Sequence, residues 1–107
     1  MARDEIATTS PYGYGCLVSG NILKDTQSAP VTPTGKKTKG IKLATSDVMC
    51  HGNYIEGMTD VGIYTEGDAA DNYVISDNVI RNLRGNTGIA IFGSGDHVRL
   101  LNNLIDT

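Results

Sequence analysis

The feature that most constrains this chain is an asparagine that recurs in a fixed local setting. Four segments superimpose on it: Val18-Ser19-Gly20-Asn21-Ile22-Leu23, Cys50-His51-Gly52-Asn53-Tyr54-Ile55, Ile75-Ser76-Asp77-Asn78-Val79-Ile80 and Leu100-Leu101-Asn102-Asn103-Leu104-Ile105. The Asn residues are spaced by 32, 25 and 25 positions. Each follows Gly, Asp or Asn, and an aliphatic residue stands two positions later.

A second motif runs out of phase with the first: Gly40-Ile41-Lys42-Leu43, Gly62-Ile63-Tyr64-Thr65 and Gly88-Ile89-Ala90-Ile91, with a fainter copy at Glu5-Ile6-Ala7-Thr8. Its alternation is that of short strands. A third strand precedes each Asn, carried by Cys16 and Val18, Val48 and Cys50, Tyr73 and Ile75, and Val98 and Leu100. Each repeat therefore holds three short strands and three turns. A period of roughly 22 to 27 residues is that of a β-solenoid coil. Strands this short are unstable as an isolated meander but bury a continuous core when stacked, about 4.8 Å apart. The expected fold is all-β, a right-handed parallel β-helix of about four rungs spanning 1–107. The Asn has a physical reason. A sharp bend between strands puts one residue near the left-handed region, which Asn tolerates, and stacked amides hydrogen-bond along the axis. Asn21, Asn53, Asn78 and Asn103 are expected to form that ladder.

Composition narrows the function classes. The chain has 107 residues, enough for one domain, and a formal net charge of -3, so no basic face for nucleic acid is expected. Apolar runs are only a few residues long, which excludes a helical membrane span, and residues 1–15 lack the apolar core of a signal peptide. Cys16 and Cys50 lack CxxC spacing and read as free thiols, with Cys50 inward and His51 outward. No zinc-ligand spacing appears.

These repeats resemble the right-handed parallel β-helix of the pectate lyase-like superfamily, which includes pectate lyases, polygalacturonases, alginate epimerases and bacteriophage tailspikes. The resemblance runs from about Ile6 to Ile105 and is carried by the coil repeat. It implies polysaccharide as partner, glycosidic cleavage by hydrolysis or β-elimination if the chain is an enzyme, a virion or extracellular location, and homotrimeric assembly in the tailspike manner.

Two irregular features stand out. The first Asn spacing is longer because of residues 26–39, a loop excursion with Pro30, Pro33 and Gly35 that ends in Lys36, Lys37 and Lys39. That basic cluster is either a solvated loop or a contact for an anionic glycan or a neighbouring chain. Gly35-Lys36-Lys37-Thr38 lacks the upstream Gly of a phosphate loop and no helix follows. The chain begins in a first-strand position and stops after a third strand, with no segment resembling a cap helix. Either the chain is a fragment of a longer solenoid or another chain covers its ends.

Chemistry is expected on the outward face of the first strand and on the turn after it. Alternation turns Ile41, Leu43, Ile63, Thr65, Ile89 and Ile91 inward. Lys42, Tyr64 and Ala90 then form one outward column, and Ala44, Glu66 and Phe92 the next. In the resembling enzymes the groove along this sheet carries the polysaccharide. Tyr64 and Phe92 would offer apolar faces to sugar rings, with Lys42, Asp68 and His97 as further substrate contacts. The turn is acidic: Asp47, then Glu66, Asp68 and Asp71, then Asp96 with His97. Counted from the ladder Asn, Asp71 and Asp96 are equivalent and would lie about 5 Å apart. That separation suits a retaining pair of carboxylates, with Glu66 as a third acid and His97 or Tyr64 as a proton-transfer group. It also suits Ca²⁺, which takes several oxygens. Asp is equally a common turn residue that caps local backbone. The Asp pairs of polygalacturonases and the Asp-Pro-His-Asp motif of alginate epimerases are not present. A purely structural reading, a stiff shaft or oligomerisation module of a viral fibre or surface protein, stands beside the polysaccharide reading.

Overall fold

The computed structural model describes residues 6–8, 16–25, 38–66, 72–85, 87–92 and 97–106. All regular structure among them is β, in three four-stranded parallel sheets. The first sheet stacks β1 (Ile6–Thr8), β4 (Lys39–Leu43), β7 (Val61–Thr65) and β10 (Thr87–Ile91) in that spatial order. The second stacks β2 (Cys16–Ser19), β5 (Val48–His51), β8 (Tyr73–Ser76) and β11 (Val98–Leu101). The third stacks β3 (Ile22–Lys24), β6 (Tyr54–Glu56), β9 (Val79–Arg81) and β12 (Leu104–Ile105). The chain thus visits the first, second and third sheets in turn and repeats that circuit. Every neighbour in a sheet comes from the adjacent circuit, which is why strands of two to five residues hold together.

Register sets the core. Val18, Cys50, Ile75 and Leu100 lie side by side across the second sheet, and Leu23, Ile55, Ile80 and Ile105 across the third. Val48, Cys50, Tyr73, Ile75, Ile55 and Ile80 are buried. On the first sheet Ile41, Leu43, Ile63 and Thr65 point inward and are fully buried, as alternation predicts. Ile89 is only half-buried and Ile91 is exposed, because β10 is an edge strand. Thr65 is tolerated in the core because its hydroxyl donates to the Phe92 carbonyl (3.1 Å) and accepts from the Phe92 amide (3.0 Å).

The Asn ladder is present. Asn21, Asn53 and Asn78 each donate from Nδ2 to the Oδ1 of the next Asn, at 3.0, 2.9 and 3.0 Å. The backbone N–H of each donates to the same oxygen, at 3.1, 3.0 and 3.1 Å. The bend itself differs from expectation. The left-handed residue is the one before the ladder Asn: Gly20, Gly52, Asp77 and Asn102, with φ of 70°, 68°, 55° and 54°. The ladder Asn is kept for its side chain, and its predecessor supplies the backbone turn. The other two corners use the same device, at Asp47, Asn72 and His97 before the second sheet and at Gly57 and Asn82 after the third.

The Gly of the second motif answers to packing. A Cβ on Gly62 would stand 2.7 Å from the Gly88 carbonyl oxygen and 2.8 Å from Ile80 Cδ1. Gly40 faces Gly62 and Ile55 in the same way, and Gly88 faces Ile105. The glycine column of the first sheet thus makes room for the isoleucine column of the third.

Candidate functional site

On the outward face of the first sheet, Lys42 is in register with Tyr64, and Tyr64 with Ala90. Tyr64 is only 6% exposed, so its ring is not the open platform that an outward position implies. The Lys39 ammonium lies 5.3 Å from that ring's centroid, a cation–π contact. Lys39, placed in the excursion by sequence, is the first residue of β4 and also meets Asp60 at 4.0 Å. Lys42 Nζ and Glu66 Oε2 form an ion pair at 3.1 Å. Phe92 stands beside Glu66 in the next column and is 58% exposed. The structure therefore pairs Lys42 with Glu66, and the register continued one position past Thr65 and Ile91 sets exposed Phe92 in the row of Glu66.

Asp68, Asp71 and Asp96 lie outside the described residues, as do Lys36 and Lys37. Their neighbours on that corner are visible. Asp47 Oδ1 accepts from Asn72 Nδ2 at 2.8 Å, and the His97 carbonyl accepts from the Tyr73 amide at 3.0 Å. Both are interactions between successive circuits. Thr45 Oγ1, on the same corner, is buried without a hydrogen-bond partner. Among the described residues, no three His, Cys, Asp or Glu side chains converge as a metal site would require.

Three constellations were not singled out from the sequence. The first lies on the third sheet, where Lys24, Glu56 and Arg81 are in register and Arg81 NH1 meets Asp106 Oδ2 at 3.4 Å. Charge alternates in sign from circuit to circuit. These four residues each stand three positions after a ladder Asn, a spacing visible in the repeat. The second surrounds Asp25, whose carboxylate is 2% exposed. Thr38 Oγ1 donates to it at 2.6 Å and Arg84 NH2 lies 3.2 Å away. Arg84 also donates from Nε and NH2 to the Gly57 carbonyl, at 2.9 and 2.7 Å. Thr38 and Thr59 exchange backbone-to-hydroxyl bonds of 2.8 and 3.0 Å. The group clamps the corner between the third and first sheets, with Asp25 and Gly57 32 positions apart and Thr59 and Arg84 25 apart, the spacings of the ladder Asn residues.

The third contains a Ser, a His and an Asp. Ser76 Oγ lies 3.1 Å and Asp77 Oδ2 lies 3.4 Å from His51 Nδ1. A relay needs the acid and the hydroxyl on opposite ring nitrogens, and here both meet the same one, so the arrangement is not a nucleophilic triad. His51 is exposed and Cys50 buried, as alternation requires. Both cysteines are free. Burial pushes the Cys50 thiol up to about 12, with a hydrogen bond from Asn53 acting weakly the other way. Comparison with protein-family models, curated proteins and solved structures found no match to this chain.

Proposed function

We propose that the chain is a right-handed parallel β-helix acting as a stiff structural segment of a virion fibre or extracellular surface protein. The observation that carries this reading is where the polar side chains go. The Asn ladder, the Asp47–Asn72 contact, the His51–Ser76 contact and the charged column on the third sheet all join one circuit to the next. Among the described residues, side chains spent this way join successive circuits and stiffen the stack. Right-handedness follows from the near-universal hand of crossovers between parallel strands. The viral setting is supported only by the resemblance of the sequence repeat to those of tailspikes, an analogy.

A second reading, glycan binding, is favoured by the patch of Lys42, Glu66 and Phe92. An exposed ring flanked by charged hydrogen-bonding groups suits a sugar. One experiment separates the two. The chain is incubated with a panel of bacterial capsule and O-antigen polysaccharides, and saturable binding, new reducing ends and unsaturated uronates are measured. The structural reading expects none of these. Saturable binding that is lost in Phe92→Ala and Lys42→Ala would replace it with the glycan reading.

A further inference from the structure

The outward face of the third sheet carries two columns side by side. One is apolar: Ile22, Tyr54, Val79 and Leu104 lie in register from circuit to circuit. Ile22 is 72% exposed and Leu104 46%. The other is charged: Lys24, Glu56 and Arg81 are in register, and Asp106 follows one position past β12. Its charges run positive, negative, positive, negative. Lys24 and Asp106 are exposed, and Glu56 and Arg81 are half-buried. Contacts within the face tie the two columns together. The Lys24 ammonium lies 5.6 Å from the centroid of the Tyr54 ring, and the Tyr54 hydroxyl donates to Glu56 Oε1 at 2.6 Å. Arg81 NH1 meets Asp106 Oδ2 at 3.4 Å. The charged groups are therefore placed before any partner arrives.

A column of alternating charge is complementary to its own reverse. We infer that two copies of this chain pack face to face through the third sheet, side by side and antiparallel. The two-fold axis runs along the strands, between β6 and β9, the two inner strands of the sheet. Rotation about it sets the apolar column on the apolar column and the charged column on the charged column. At the centre, Glu56 of each copy faces Arg81 of the other. Further out, Lys24 faces Asp106, Ile22 faces Leu104, and Tyr54 faces Val79. Every pairing occurs twice, so the contact closes as a dimer. The same face docked in parallel and level with its copy would set Glu56 against Glu56 and Arg81 against Arg81, which like-charge repulsion disfavours. The face is narrow, with strands of two or three residues, so the dimer is a weak one that forms in concentrated protein. The inference goes beyond the shaft reading, because it is drawn from the third sheet alone.

Sedimentation equilibrium on the full chain, from about 1 µM to about 1 mM and at about 50 mM and about 500 mM salt, tests this. The expected result is a monomer–dimer equilibrium that weakens at the higher salt. Glu56→Lys and Arg81→Glu should each weaken the dimer by about tenfold or more, because the two-fold axis brings like charges together twice. An equal mixture of the two variants should restore it. So should the double variant Glu56→Lys/Arg81→Glu alone, since every facing pair is again opposite in sign. Circular dichroism checks that each variant folds, and restoration on mixing cannot come from misfolded chains. Glu56→Lys mixed with wild type should associate more weakly than wild type alone. Tighter association in that mixture would indicate parallel docking and overturn the inference. A monomer throughout the range would also overturn it, as would a trimer, an open series, or a dimer that neither variant weakens. None of these results bears on polysaccharide binding, so failure here and failure of the structural reading are distinguishable.

Discussion

Asn78→Ala should be among the most damaging single changes in this chain. The Asn78 side chain is fully buried and makes four hydrogen bonds. It donates to Asn103 Oδ1 and the Cys50 carbonyl, and accepts from the Asn53 backbone N–H and from Asn53 Nδ2. Truncation orphans two buried donors on Asn53 and removes a partner from the Cys50 carbonyl. At about 1–3 kcal/mol for each buried orphan, the loss is about 3–5 kcal/mol. A domain of this size has only about 5–15 kcal/mol in total. Asn21→Ala is the control. It removes one Nδ2 donation to Asn53 Oδ1, which keeps the bond from the Asn21 backbone N–H, at a half-exposed site. Its cost should be about 0.5–1 kcal/mol. Asn103→Ala should fall between the two, because water reaches that end. Urea denaturation followed by far-UV circular dichroism measures all three. A cost below about 1 kcal/mol for Asn78→Ala, or an equal cost for Asn21→Ala, would refute the claim that the ladder stabilises the stack.

Other substitutions separate packing, turn geometry and polar satisfaction. Gly62→Ala should lower stability by about 1–3 kcal/mol, because its Cβ meets a backbone oxygen and Ile80; a melting temperature within error of wild type would contradict this. Arg84→Ala should cost about 2–3 kcal/mol by stripping a cation from the buried Asp25 carboxylate, and Asp25→Asn in that background should recover part of the loss. Thr45→Val should be neutral or stabilising by up to about 1 kcal/mol, since it removes a buried hydroxyl without a partner. Cys50 should resist thiol reagents in the folded chain near about pH 8 and react only on unfolding. Its folded pKa of about 12 lies above the ordinary 9.0, so the native state keeps a proton that the unfolded chain releases. That contribution to stability is complete below pH 9.0 and is lost as pH rises toward 12, and Cys50→Ser should flatten the alkaline fall in a pH series of denaturation midpoints.

Local features were legible where one repeat resembles the next. The strands, the inward columns and the Asn ladder follow from period and alternation, because stacking forces equivalent positions together. The bend was misplaced by one residue, although the signal was present: Gly, Gly, Asp and Asn at positions 20, 52, 77 and 102 are the residue types that accept a left-handed backbone. The Asp25 and Arg84 clamp was not legible, since equivalent positions carry unlike residues, Asp25 aligning with Gly57 and Thr59 with Arg84, so no residue type repeats there. Tyr64 marks another limit. Alternation assigns a side chain to the outer face of a sheet, but its exposure depends on what else lies against that face. For the candidate site, sequence placed Glu66 and Phe92 in one outward column and Lys42 in its neighbour, and the structure adds the ion pair that joins Lys42 to Glu66 across the two.

The pairing of a left-handed residue with the Asn that follows it has a consequence for how such a chain changes length. Deleting residues 53–77 would join Gly52 directly to Asn78, and the junction would read as an intact corner. Duplicating the same stretch would create a second intact corner. The glycine and isoleucine columns would stay in step, since one member of each leaves or enters with the segment. Length in this architecture is therefore adjustable by whole units of about 25 residues, with each edit leaving no scar in the local chemistry.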